Sequence, residues 1–364
     1  MSREFKIADV IRSATLIERQ EQRAVFISFF LVFVLMAAYY MLRPVRDSMA
    51  SDWSNTEISV LWNIQFVLSL TFVAIYGVAV SRIKFRHLVP SVYGFFALSF
   101  VGFHFGSGLV EAPVIIDKSF YLWVSLFSLF HVSVFWSLMA DLYNKEQSKR
   151  LFGFIAVGAS AGAIVGPIVA TIAAQTIGSD SLMLIASLTM LIPLPIVFYL
   201  QYLKRTHLLN EQVNVDLTPI KIGGNPLAGF RDFVTSPYLI GIAAFILLYT
   251  AISSFAYFEQ TNLLRDYNRD QRTEILALLA LVVNSLTFIL GFFATSRLTT
   301  RLGMPATLAL VPAFMCVALI ILAFAPILTV LLALQVARQA GNYGITRPAR
   351  EMLFTSVSRE ARFK

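Results

Sequence analysis

Ten mainly apolar stretches, each close to the roughly 20 residues that a helix needs to cross a bilayer, alternate with short polar joints along the chain. They lie near residues 24–47, 58–80, 88–110, 119–142, 151–177, 181–203, 238–260, 274–296, 303–325 and 328–356. The pattern predicts an all-α polytopic membrane protein. The first stretch opens at Ala24, after a polar segment holding Glu18, Glu21 and Arg23. It begins too late and runs too long for a cleaved signal peptide, so it is expected to stay as a spanning helix.

Composition agrees with the pattern and narrows the function. Of the 364 residues, 57% are hydrophobic and 14% charged, and the mean hydropathy is +0.72. A soluble domain carries about 25% charged residues, so a water-soluble enzyme, a disordered regulator and a secreted scaffold are excluded. The lone Cys316 excludes an intramolecular disulfide and any multi-cysteine metal site. Neither a metal nor any other cofactor is expected.

The net charge of +8 would suit nucleic-acid binding if it were clustered, but its location decides otherwise. With the N-terminus inside, one set of alternating joints holds 20 of the 29 basic residues, while the opposite set holds only Lys118, Arg265, Arg269 and Arg272. The positive-inside rule then makes the N-terminus cytoplasmic and the basic excess topological, with no nucleic-acid partner. The remaining five, Arg43, Arg46, Arg338, Arg347 and Arg350, fall inside predicted helices.

A repeat organises the chain. Ser81-Arg82-Ile83-Lys84-Phe85-Arg86 and Ser296-Arg297-Leu298-Thr299-Thr300-Arg301 share Ser-Arg-x-x-x-Arg at an offset of 215, and Lys145-Glu146 and Arg359-Glu360 match at 214. Two six-helix halves in parallel explain these offsets. The expected division is an N-terminal half over 1–204, a cytoplasmic linker over 205–235, and a C-terminal half over 236–364 that shows helices seven to ten only. Counterparts of helices five and six are missing, so a fragment of a twelve-helix protein is expected; a natural ten-helix protein is the alternative.

Ionisable residues within a bilayer cost about 3 kcal/mol each on insertion scales and usually mark a cavity or pathway. Here one pattern occurs twice: Arg43-Pro44-Val45-Arg46-Asp47 in helix one and Arg347-Pro348-Ala349-Arg350-Glu351 in helix ten. On a helix, the i, i+3 and i+4 positions place both arginines and the acid on one face. Such a face offers guanidinium donors to a carboxylate or phosphate, with the acid pairing them when the site is empty. Arg338 lies nine residues before Arg347 and joins the proposed anion pathway. Snorkelling to the two interfaces is the alternative reading for each arginine alone. Asp47, Asp141, Glu146 and Glu351 are the acids available for coupling.

The two-half plan resembles the major facilitator superfamily. The repeated joints look like its Gly-x-x-x-Asp-Arg-x-Gly-Arg-Arg signature, with Gly77, Arg82 and Arg86 retained and Ser81 and Ser296 in place of the acid. On that likeness Arg82, Arg86, Arg297 and Arg301 are gating candidates. A narrower resemblance, to the ATP/ADP translocases of plastids and intracellular bacteria, rests on Met41 to Asp47, Ser133 to Trp136, Glu146 to Arg150, Ser236-Pro237-Tyr238 and Arg347 to Met352. It implies Arg46 and Arg350 as substrate-binding residues and Glu146 as a gating or coupling acid. Where that family carries a glutamate late in helix seven, this chain has Tyr257.

Other features have simpler readings. Gly158, Gly162 and Gly166 form a small-residue face on helix five suited to close packing, which can also let one half slide. His131 has no second histidine or cysteine at ligand spacing, so a helix contact or cavity lining is expected rather than metal. Trp136, Tyr249, Tyr257 and Asn284 are candidates for lining a cavity. Arg265 to Glu274 reads as a solvated external loop, with a gate as the alternative.

Together these features predict a monomeric secondary transporter in a bacterial inner membrane, working by alternating access and exchanging a small anionic, phosphorylated solute such as a nucleotide. The alternatives are a carrier for a different small solute and a non-transporting membrane sensor or assembly partner. No catalytic constellation of His, Asp and Glu occurs, so enzyme activity is not expected.

Overall fold

A computed structural model describes residues 17–83, 85–106, 113–208, 237–293, 298, 300–347 and 350. Among these residues there is no strand. The helices are α1 (Gln22–Ala50), α2 (Asn55–Arg82), α3 (Phe85–Gly106), α4 (Pro113–Leu142), α5 (Lys145–Thr176), α6 (Ser181–Thr189), α7 (Pro193–Thr206), α8 (Pro237–Leu263), α9 (Arg269–Phe293), α10 (Gly303–Phe324) and α11 (Leu328–Gly341).

Local chemistry sets the ends. The Ser54 hydroxyl accepts from the Glu57 amide at 3.2 Å while the Glu57 carboxylate accepts from the Ser54 amide at 2.9 Å, which starts α2. Asn144 and Gln147 form the same reciprocal cap on α5. The sixth apolar stretch is split into α6 and α7 because Pro193 has no N–H to offer the preceding turn. The Thr189 carbonyl accepts from Ile192 instead, at 3.2 Å. The tenth stretch forms α11 and continues as a wide π-helical turn over Asn342–Thr346. That turn shifts the register of Arg347 and Arg350 relative to Arg338.

Packing divides the chain into two compact units: Met1–Val215 with Tyr267–Leu281, and Asp216–Asp266 with Val282–Lys364. Helix α9 therefore begins in the first unit and ends in the second.

In the first unit α1 is central and packs on α4, α5, α6 and α7. Phe96, Phe100, Phe120 and Phe127 fill the space between α3 and α4, with Phe96 and Phe127 ring centroids 5.1 Å apart. Outward faces are apolar: Phe66, Val67 and Leu70 of α2 are all exposed, as a lipid-facing surface requires. In the second unit Ala256, Val311, Met315, Leu322, Leu331 and Leu334 make the core.

The glycine face of α5 is a fixed seam within the first unit, not a sliding surface. A Cβ on Gly158, Gly162 or Gly166 would lie 2.5, 2.2 and 2.6 Å from the carbonyl oxygens of Phe29, Phe33 and Ala37 on α1. Backbone-to-backbone contact at this distance leaves no room for a methyl group. By contrast, a Cβ at Gly153 meets nothing within 4 Å. Gly162→Ala is therefore expected to lower the melting temperature of detergent-purified protein sharply, while Gly153→Ala leaves it within about 3 °C of wild type. Equal melting temperatures for the two variants would contradict the seam.

Candidate functional site

Two guanidinium clusters stand inside the apolar helices, one in each unit. In the first unit α1 runs unbroken through Pro44 and carries Arg43, Arg46 and Asp47 on the face that their spacing predicts. Asp47 is buried and serves both arginines. Its Oδ1 accepts from Arg46 Nε at 2.9 Å and Nη2 at 2.7 Å, and its Oδ2 lies 3.7 Å from Arg43 Nε. The third Arg46 nitrogen, Nη1, donates to Ser125 Oγ on α4 at 3.2 Å. Ser125 can accept because its own proton goes to the Tyr121 carbonyl at 2.7 Å, one helical turn earlier. The Tyr121 ring lies 5.5 Å from the Arg46 guanidinium carbon and is held from behind by Trp62 Nε1, which donates to its hydroxyl at 2.9 Å.

In the second unit Arg338 of α11 is buried and meets α8 through the same device. Its Nη1 donates to Ser253 Oγ at 2.7 Å and to Tyr249 Oη at 3.3 Å, and Ser253 gives its proton to the Tyr249 carbonyl at 2.8 Å. Tyr121 to Ser125 and Tyr249 to Ser253 are thus two Tyr-x-x-x-Ser turns, each receiving an arginine. The remaining edge of Arg338 differs from that of Arg46. Nε and Nη2 donate to Gln335 Oε1 at 3.0 and 2.6 Å, so a carboxamide stands where Arg46 has a carboxylate.

The other sequence candidates fall elsewhere. Arg347 is exposed and Arg350 half-buried beyond the π-helical turn, and Tyr257 is half-buried on α8. Glu351 and the side chains of Arg82, Arg86 and Arg297 lie outside the described residues, and Arg301 is exposed just before α10. Asp141 ties α4 to α7 by accepting from Lys204 Nζ at 3.0 Å and Gln201 Nε2 at 3.1 Å. Glu146 is exposed in the first turn of α5, its amide capped by Asn144 Oδ1 at 3.1 Å. His131 is buried, with Nδ1 3.1 Å from the Phe127 carbonyl and its ring stacked 4.6 Å from Tyr39. No group of acids, histidines and cysteines able to hold a metal occurs among the described residues.

Of the segment Arg265 to Glu274, read from sequence as a solvated loop, residues 265–268 form an exposed turn, while Arg269 to Glu274 are the clamped start of α9. Arg269 Nη2 bridges Asp117 at 2.7 Å and Asp52 at 3.1 Å, and Arg272, itself buried, also pairs with Asp52. Asp270 accepts from the Ser179 amide at 2.7 Å, and Glu274 accepts from Gln175 at 2.6 Å. These acids lie far apart in sequence, and the alternating charges alone gave no sign of them.

The Major Facilitator Superfamily model matches residues 28–361. The chain belongs to the Major Facilitator Superfamily. Seventeen chains of solved structure match it, among them a D-xylose-proton symporter at 13% identity and a TM-score of 0.56, covering 93% of this chain and 84% of that one. No curated protein matches. The superfamily fold and nine helices among the described residues that are long and apolar enough to cross a membrane make this an integral membrane protein with a transporter fold.

Within this superfamily member the α9 clamp makes a clear prediction. Arg272 is the buried member of its pair, at 7% exposure, and also donates to the Ser48 carbonyl. Arg272→Gln therefore removes a buried guanidinium from both Asp52 and Ser48, although Asp52 keeps Arg269, whereas Lys118→Gln disturbs a pair in which Lys118 is 28% and Glu57 47% exposed. Thermal unfolding in detergent should show a loss for Arg272→Gln several degrees larger than for Lys118→Gln. Equal shifts would show that the clamp adds nothing beyond a surface pair.

Proposed function

We propose that this protein is a secondary transporter that works by alternating access and exchanges an anionic, phosphorylated solute such as a nucleotide. The observation that carries this reading is the pair of arginine clusters: Arg46 and Arg338 are each set within apolar helices and each received by a Tyr-x-x-x-Ser turn. On the two-half plan, helix one is equivalent to helix seven and helix four to helix ten. The arginine therefore sits on opposite members of equivalent helix pairs, and each half contributes one.

A guanidinium presents planar paired donors that match phosphate and carboxylate oxygens. Arg43 and Arg46 share one carboxylate, so an arriving anion can take over bonds now made by Asp47. Exchange suits such a site, because a bound anion masks the positive charge that would otherwise oppose reorientation. Arg347 and Arg350 extend the basic path along helix ten, and Asp141, Glu146 and Arg301 act at the helix ends as gating or coupling groups. The protein is placed as a monomer in the bacterial inner membrane with a cytoplasmic N-terminus, in keeping with the bias of basic joints. The symporter's fold likeness, at 13% identity, speaks to architecture and not to solute.

Counterflow into proteoliposomes tests the reading. Vesicles preloaded with ATP, ADP, phosphate or xylose are supplied with each labelled compound outside. Exchange among the phosphorylated compounds and none with xylose is expected. Arg46→Ala should lower the exchange rate by about 10- to 100-fold, the worth of a charged hydrogen-bonded pair, and Arg46→Lys should recover it only in part. Xylose transport without phosphate-compound exchange, or full activity in well-folded Arg46→Ala, would overturn the assignment.

A further inference from the structure

The two clusters differ in one respect that sets their electrical character. In the first unit, Asp47 offsets one of two positive charges. In the second, every described partner of Arg338 is neutral: Gln335, Ser253 and Tyr249. Among the described residues no carboxylate stands within 4.0 Å of the Arg338 guanidinium, and an arginine keeps its proton in a protein. A buried cation held only by dipoles retains most of its desolvation cost and gains strongly from any anion that reaches it.

The neutrality of residue 335 is specified from its other side. Gln335 Nε2 donates to Gln260 Oε1 at 2.8 Å and to the Ala256 carbonyl at 3.2 Å. A backbone carbonyl only accepts, so the group facing it must carry N–H, and this fixes which end of the amide points at Arg338. A glutamate would keep the bonds to Arg338 but set an oxygen against the Ala256 carbonyl.

We propose that Gln335 is a positioning residue that fixes Arg338 along its Nε–Nη2 edge without neutralising it, keeping Arg338 an uncompensated buried charge that selects for an anionic solute. The proposal rests on the anionic-solute reading and names the residue that enforces it. Sequence alone passed over Gln335, because a lone glutamine in an apolar helix carries no motif.

The test compares Gln335→Glu with Gln335→Met by isothermal titration calorimetry of detergent-purified protein with ADP, inorganic phosphate and succinate. Glutamate keeps both contacts to Arg338 and cancels its charge; methionine loses every hydrogen bond and leaves the charge. The expected order of anion affinity is wild type, then Gln335→Met lower by about tenfold, the worth of a few neutral hydrogen bonds, then Gln335→Glu with no measurable binding. Because glutamate also sets an oxygen against the Ala256 carbonyl, the deciding variant is Ser253→Asp, which neutralises Arg338 from the Nη1 side and leaves the Gln335 bonds in place. It should likewise abolish binding, whereas a merely structural role of Gln335 predicts that it binds anions as wild type does.

Wild-type affinity in either folded, neutralised variant, or methionine below glutamate, overturns the proposal. Wild type that binds succinate but neither phosphate compound defeats the phosphorylated-solute reading and leaves the order to be judged with succinate. Wild type that binds none of the three overturns both.

Discussion

An arginine inside a bundle of lipid-facing helices cannot shed its proton, so it must find oxygen atoms, and the number and charge of those atoms decide what the site does. Arg46 and Arg338 meet this demand in the same way. In each, a serine one turn after a tyrosine gives its proton to that tyrosine's carbonyl and turns a lone pair toward the guanidinium. The serine's donor is satisfied within its own turn, at a small cost to the helix. What remains variable is the partner on the other edge: an aspartate in the first unit, a glutamine in the second.

The rest of the described structure keeps those groups in place. The glycine seam brings α5 against the backbone of α1 and holds the helix that carries Arg43, Arg46 and Asp47. Trp62 fixes the ring of Tyr121 under Arg46, and Gln260 fixes the amide of Gln335 under Arg338. At the start of α9, Arg269 and Arg272 fasten the first part of that helix to Asp52 and Asp117 while its second part belongs to the other unit.

Much of this was legible in the chain, and the misses have physical reasons. Apolar runs report helix number well because a bilayer imposes both length and composition, and nine of the ten runs are recovered as long spanning helices among the described residues. The i, i+3, i+4 spacing correctly placed Arg43, Arg46 and Asp47 on one face. The duplicated Arg-Pro-x-Arg-acid pentapeptide drew attention to Arg350, while nothing in the sequence marked the Tyr-x-x-x-Ser turn that receives Arg338 as another receives Arg46. The π-helical turn between Arg338 and Arg347 changes the register, and no periodicity announces such a turn. Gln335, Ser253 and Ser125 escaped notice because neutral residues become significant only when folding brings a charge to them. Arg272 looked solvated because its partner Asp52 is 220 residues away in sequence.

On the proposed reading, the solute supplies the negative charge that is missing among the described partners of Arg338. Equilibrium binding of ADP compared with adenosine tests it most directly, since the two share the base and ribose and differ in the diphosphate. The account predicts that ADP binds and that adenosine binds at least about 100-fold more weakly, the worth of charge-assisted bonds to a buried guanidinium. Adenosine binding as tightly as ADP would contradict it.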